Sequence, residues 1–123
     1  VGVCGFDWLP LPDTVSGVTE ALIQAHNPSW TLGGTRDPGP EVRRQLGGAG
    51  FVVLETFTFD VDVPYTADSW RRRIGASAGI LDLGAEAATA FDVQLADLLA
   101  ERFPGDHLTA PHRVWASVAQ SPG

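Results

Sequence analysis

His26-Asn27-Pro28 is the best polar cluster in this sequence of 123 residues. An imidazole there suits a general base, or a group that orients an acceptor, because its ordinary pKa lies near 6.5. The same residues also suit a helix end, with His26 complementing the dipole and Asn27 in the left-handed cap position. Asp7 and Trp8 follow an apolar run, at the carboxyl end of a strand, where α/β sheets place ligands. Trp8 there is a wall of an active site or a plug under the next loop. Asp7 is a ligand contact or a turn and cap residue. Trp30 shares a loop with Gly33-Gly34, whose freedom would let it cover a substrate as part of a lid; simple packing is the other reading. Arg71, Arg72 and Arg73 point about 100° apart on one helix, so at most two face a pocket. Arg73 would suit an acidic acceptor; the alternative is a solvated surface paired with Asp68 or Asp82.

Other chemistries lack their residues. No Gly-x-Ser-x-Gly elbow or Ser/His/Asp series is present. His107, in a turn, and His112, beside Arg113 at the start of a strand, do not combine with Cys4 into a metal spacing. Cys4 reads as an inert core thiol in mid-strand. A single cysteine excludes an internal disulfide framework and points to an intracellular, cytoplasmic setting. The formal net charge is −7 and all eight basic residues are arginine, so the basic footprint of a nucleic-acid binder is absent. The use of Arg and Ala in place of Lys suggests a high-GC bacterial source. The longest apolar stretches fall short of the ~20 residues of a membrane span. Apolar residues make up 44% of the chain, enough for one domain with a modest core.

The elements that must position these groups follow from periodicity. A strand over Val1–Phe6 is apolar or small on both faces, as if covered on both. Two prolines end it, and Asp13 or Thr14 caps a helix running to His26, with Val15, Val18, Leu22 and Ala25 as its apolar stripe. A short helix from Glu41 to Ala49 follows Pro40, with Gly50 as its C′ residue. Phe51–Val63 alternates: Phe51, Val53, Phe57, Phe59, Val61 and Val63 on a covered face, and Thr56, Thr58, Asp60 and Asp62 on a wetter one. Thr66 caps a helix carrying Trp70, Ile74 and Ser77. A Gly-rich bend spans 79–84. A helix over 85–103 buries Phe91, Leu95, Leu98, Leu99 and Phe103. The last strand, 113–119, is apolar almost throughout and reads as central. The order is strand, two helices, strand, two helices, strand.

An ordered series of segments carries a family resemblance. They are Gly5-Phe6-Asp7-Trp8-Leu9-Pro10, His26-Asn27-Pro28-Ser29-Trp30, Leu46 with Ala49-Gly50-Phe51, and Glu55-Thr56-Phe57 with Phe59-Asp60-Val61-Asp62-Val63-Pro64-Tyr65. Trp70, Arg73-Ile74, Ala76-Ser77-Ala78-Gly79 and the closing Pro111-His112-Arg113-Val114-Trp115 complete it. The chain thereby resembles the C-terminal half of class I S-adenosylmethionine-dependent methyltransferases of the small-molecule, type 11-like branch. The resemblance implies an α/β, partial Rossmann-like fold with about four helices. Its three strands would be the fifth, sixth and seventh of the family sheet, the last inserted antiparallel between the other two. It also implies a small-molecule methyl acceptor, with His26 as candidate general base and Asp7, Trp8, Asn27, Trp30 and Arg73 as substrate-binding residues.

The family's Gly-rich turn after its first strand and the acidic residue after its second are missing from this sequence. Gly33-Gly34 and Gly47-Gly48 lack the strand-turn-helix context of a nucleotide site. S-adenosylmethionine is therefore expected to need the whole family domain and not to bind this chain alone. An apolar strand at the first residue suggests the back portion of something larger. The expected partner is a separate front half, or a second copy joined through the unpaired edge of the first strand. The competing expectation is a free-standing, non-catalytic α+β module that binds a ligand or dimerises.

Overall fold

The computed structural model describes residues 1–31 and 39–123; the Gly33-Gly34 hinge of the expected lid falls outside them. The elements run β1 (Gly2–Trp8), α1 (Val15–His26), α2 (Gly39–Gly48), β2 (Val52–Tyr65), α3 (Ala67–Gly75), α4 (Ala78–Leu81), α5 (Ala85–Arg102) and β3 (Leu108–Gln120). The chain is α/β. Its single open sheet has the order β1-β3-β2, and β3 is antiparallel to both neighbours. The last strand is thus central and inverted, as expected.

Local signals explain most boundaries. The Thr14 hydroxyl accepts from Gly17 N–H at the start of α1. Thr66 and Ser69 form a reciprocal capping box on α3. Gly50 takes φ +85° just past α2, where an L side chain would be strained. Within the Gly-rich bend, Ala78–Leu81 winds into α4, so three helices separate β2 from β3 instead of two. β3 begins five residues earlier than its apolar run suggested. Pro111 is tolerated inside it because the β1 ladder ends at Trp8, opposite His112, and on that side only the Pro111 carbonyl is used, accepting from Leu9 N–H at 2.7 Å.

Register divides the sheet into two faces. Cys4, Phe6, Trp8, Phe57, Phe59, Val61, His112 and Val114 share one; Gly5, Asp7, Thr56, Thr58, Trp115 and Ser117 share the other. Helices α1, α3, α4 and α5 cover only the first face at the end holding Trp8, Tyr65 and His112. The core there joins Trp8, Val15, Ile23, Trp70, Ile74, Ile80, Phe91, Leu95 and Leu99. Each large apolar side chain sealed there stabilises the fold by about 1.5–3 kcal/mol. Helix α2 packs near Thr56, Thr58 and Ser117 on the second face.

This arrangement corrects three expectations. The apolar face of β2 is open: Phe57, Phe59 and Val61 are 44%, 51% and 38% exposed, because no helix of the described residues reaches that far along it. β1 is not covered on both faces, since Phe6 is 46% exposed. Cys4, on the same open face, is an exposed thiol and not a core one.

Candidate functional site around the end of the first strand

The site grows from α1, whose buried stripe is not the apolar one. Val15, Ser16, Thr19, Glu20 and Ile23 face inward, whereas Val18 and Leu22 are half-buried and Ala25 is exposed. The physical reason lies in the tryptophans. An indole N–H is a donor only and needs an acceptor when buried. Trp70 Nε1 donates to Thr19 Oγ1 at 3.0 Å. Trp8 Nε1 donates to Glu20 Oε2 at 2.8 Å, and Trp30 Nε1 to Glu20 Oε1 at 2.7 Å. The polar stripe of α1 is the acceptor set for three indoles. Glu20 and Thr19 were not singled out in the sequence; matching the tryptophans against the adjacent polar acceptors Thr19 and Glu20 on one helix was the available signal.

Trp8 is 5% exposed and acts as a plug beneath the following loop. The Arg73 guanidinium lies 5.0 Å from its ring centroid, a cation–π arrangement. Trp70 meets Trp8 edge-on at 6.2 Å and Tyr65 edge-on at 5.0 Å. Behind them His112 is fully buried, with Phe6 stacked on it at 4.6 Å. The Ala110 carbonyl can only accept, so His112 Nδ1–H donates to it at 3.0 Å. Nε2 is then the acceptor for the Tyr65 hydroxyl at 3.2 Å. Burial pushes the His112 pKa below 6.5; the Ala110 bond opposes this, Arg73 adds to the lowering, and Asp7 opposes it. Both charges therefore act at this ring.

The remaining candidates separate. Asn27 reaches the same corner, donating from Nδ2 to Gly79 O at 2.9 Å and accepting from Ser29 Oγ at 2.7 Å. Its φ of −134° is not left-handed, which corrects the expected cap conformation: the side chain, tied at both ends, sets the backbone. Trp30 packs so close to Gly79 that a Cβ there would stand 2.9 Å from its ring. His26 lies apart, on the α1–α5 contact, with Nε2 2.9 Å from Gln94 Oε1 and its ring edge-on to Phe91 at 5.4 Å. Asp7 is exposed on the opposite face of β1 from Trp8. Of the arginines, Arg71 pairs with Asp92 and Arg72 with Asp68, leaving Arg73 to face the aromatic cluster.

The structure thus brings Trp8, Trp30, Asn27 and Arg73 into one corner with Glu20, Tyr65 and His112, and does not bring His26 there. Five cavities among the described residues are lined by none of the six expected residues. The corner is a packed aromatic wall with a cation at its rim. Among the described residues no group of three or more His, Cys, Asp or Glu could hold a metal ion. No helix of the described residues is long and apolar enough to cross a membrane. β1 runs into Leu9-Pro10-Leu11-Pro12, not a Gly-rich turn, and Gly47-Gly48 closes a helix instead of opening one. No family model, curated protein or solved structure matches the chain.

Proposed function

We propose that this chain is the acceptor-side portion of a class I methyltransferase acting on a small molecule in a bacterial cytoplasm. The observation that carries the reading is the sheet order β1-β3-β2 with an inverted central β3. That order collects the carboxyl ends of β1 and β2 and the amino end of β3 at one place, as Trp8, Tyr65 and His112. Methyl transfer from an activated donor asks the protein mainly to orient the acceptor and exclude water. Trp8 and Trp30, fixed by Glu20, supply a rigid wall. Arg73 at its rim suits an acidic acceptor. His112 is held neutral, and its Nε2 fixes the direction of the Tyr65 hydroxyl. The donor, S-adenosylmethionine, belongs to another polypeptide segment in this proposal, and the chain alone does not turn over.

The open apolar face of Phe6, Phe57 and Phe59 supports a covering partner. The same face would serve the second reading, a non-catalytic module that dimerises. The reading frame upstream of the Val1 codon separates them. The first reading expects an encoded strand, a Gly-x-Gly turn and an acidic residue about 20 positions on. A ribosome-binding site and start codon at Val1 would overturn it.

A further inference from the structure

On the second face of the sheet, opposite the aromatic corner, α2 and the strands border a partly open cavity of about 60 Å³ lined by Gly39, Arg43, Thr56, Thr58, Trp115 and Ser117. At roughly 10–15 Å³ of such space per enclosed water, it holds a few waters or one tetrahedral ion. We propose that this cavity is a binding site for a phosphate-sized oxyanion, either free or as the phosphoryl end of a small ester.

Four observations converge on it. Thr56 stands directly opposite Ser117 and Thr58 opposite Trp115, so their side chains share one face and three hydroxyls line the cavity. Ser117 is 1% exposed, yet its hydroxyl makes no hydrogen bond among the described residues. Among them no side-chain polar atom is both sealed and unpartnered, so what accessible surface the Ser117 oxygen keeps opens into the cavity. A buried donor left in this way is costly unless something in the cavity accepts from it. The Arg43 guanidinium has neither an ion pair nor a hydrogen bond among the described residues, although the chain carries a net charge of −7. Gly39 begins α2, so the positive end of a ten-residue helix dipole adjoins the same space.

Among the described residues the lining supplies positive charge and hydroxyl donors and contains no carboxylate. Glu41, the one acid in the first turn of α2, is engaged by Arg44 and Gln45. Among the described lining residues a cation would find no counter-charge, and an apolar ligand would leave the hydroxyls unmet. A small oxyanion accepts from all of them and pairs with Arg43.

The test is calorimetric titration of the chain with inorganic phosphate and, separately, with phenyl phosphate, at constant ionic strength set with chloride. Saturable one-site binding is expected, weakened at least tenfold in Arg43→Gln and also weakened in Ser117→Ala, with circular dichroism unchanged in both. Tighter binding of phenyl phosphate would identify the phosphoryl end of an ester as the ligand; tighter binding of phosphate would identify the free ion. Absence of saturable binding by either, or equal binding by Arg43→Gln, overturns the proposal and leaves the cavity to water.

Discussion

The Trp8 indole donates a 2.8 Å hydrogen bond to Glu20, so a strand end and a helix are joined through a carboxylate that is 2% exposed. The second oxygen of that carboxylate takes the Trp30 indole. Replacing Glu20 by Ala orphans both donors, at about 1–3 kcal/mol for each buried group. Glu20→Gln keeps one acceptor oxygen and presents a donor to the other indole, so it loses about half as much. Urea unfolding at an unchanged m value checks both, and the tryptophan fluorescence of the native state shifts with them.

His112 gives stability a pH dependence above the carboxylate range. Its pKa is lowered by burial in the folded protein and is ordinary in the unfolded chain. The unfolded state therefore binds the proton first as pH falls. The stabilisation is complete above about pH 6.5 and is lost as pH drops toward the lowered folded value. The acids with lowered pKa, Glu41, Asp60 and Asp92, lose their contribution only further down, below the ordinary carboxylate pKa. Urea midpoints between pH 8 and 5 should decline in the wild type, and the decline should be absent in His112→Leu.

Two glycines should respond in opposite directions to alanine. A Cβ on Gly17 would lie 2.0 Å from the Leu11 carbonyl oxygen, a backbone atom that cannot rotate away. Gly17→Ala should destabilise by about 1–3 kcal/mol or more. Gly47 has open space around it inside α2, so Gly47→Ala should stabilise by about 0.4–1 kcal/mol. Thermal unfolding of the two variants gives the signs.

The open sheet face should make the chain associate. Phe57 and Phe59 stack at 6.5 Å with no helix of the described residues over them. Sedimentation velocity should show concentration-dependent association that Phe57→Ser with Phe59→Ser removes, with little change in the unfolding midpoint. A monomer at all concentrations for the unmodified chain would count against a partner on this face.

Where a residue's own chemistry fixed the backbone, the sequence was readable. Thr14, Thr66, Gly50, Pro10 and Pro28 set boundaries that the structure keeps, whereas Pro64 and Pro111 lie inside β2 and β3. The inverted central strand was legible through the apolar character of 113–119 together with the family resemblance. Which face each helix covers was not. Period-two alternation in β2 separates two faces but does not say where α2 and α5 will lie, so the phenylalanines read as covered when they are open. Of the site, Trp8, Trp30 and Arg73 were identifiable by type and position. Glu20 was hidden because a charged residue on an amphipathic helix reads as solvent-facing, and only the packing of two indoles against it reverses that. His112 was likewise visible as a histidine at a strand end, but its burial under Phe6 depends on a register that is not local.

The central claim is that this chain forms the acceptor side of a methyltransferase. Calorimetric titration of S-adenosylmethionine, into this chain and into the polypeptide translated from the full reading frame that contains it, tests it most directly. The account predicts saturable one-to-one binding by the longer polypeptide and none by this chain. Absence of binding by the longer polypeptide, or equally tight binding by this chain alone, would contradict it.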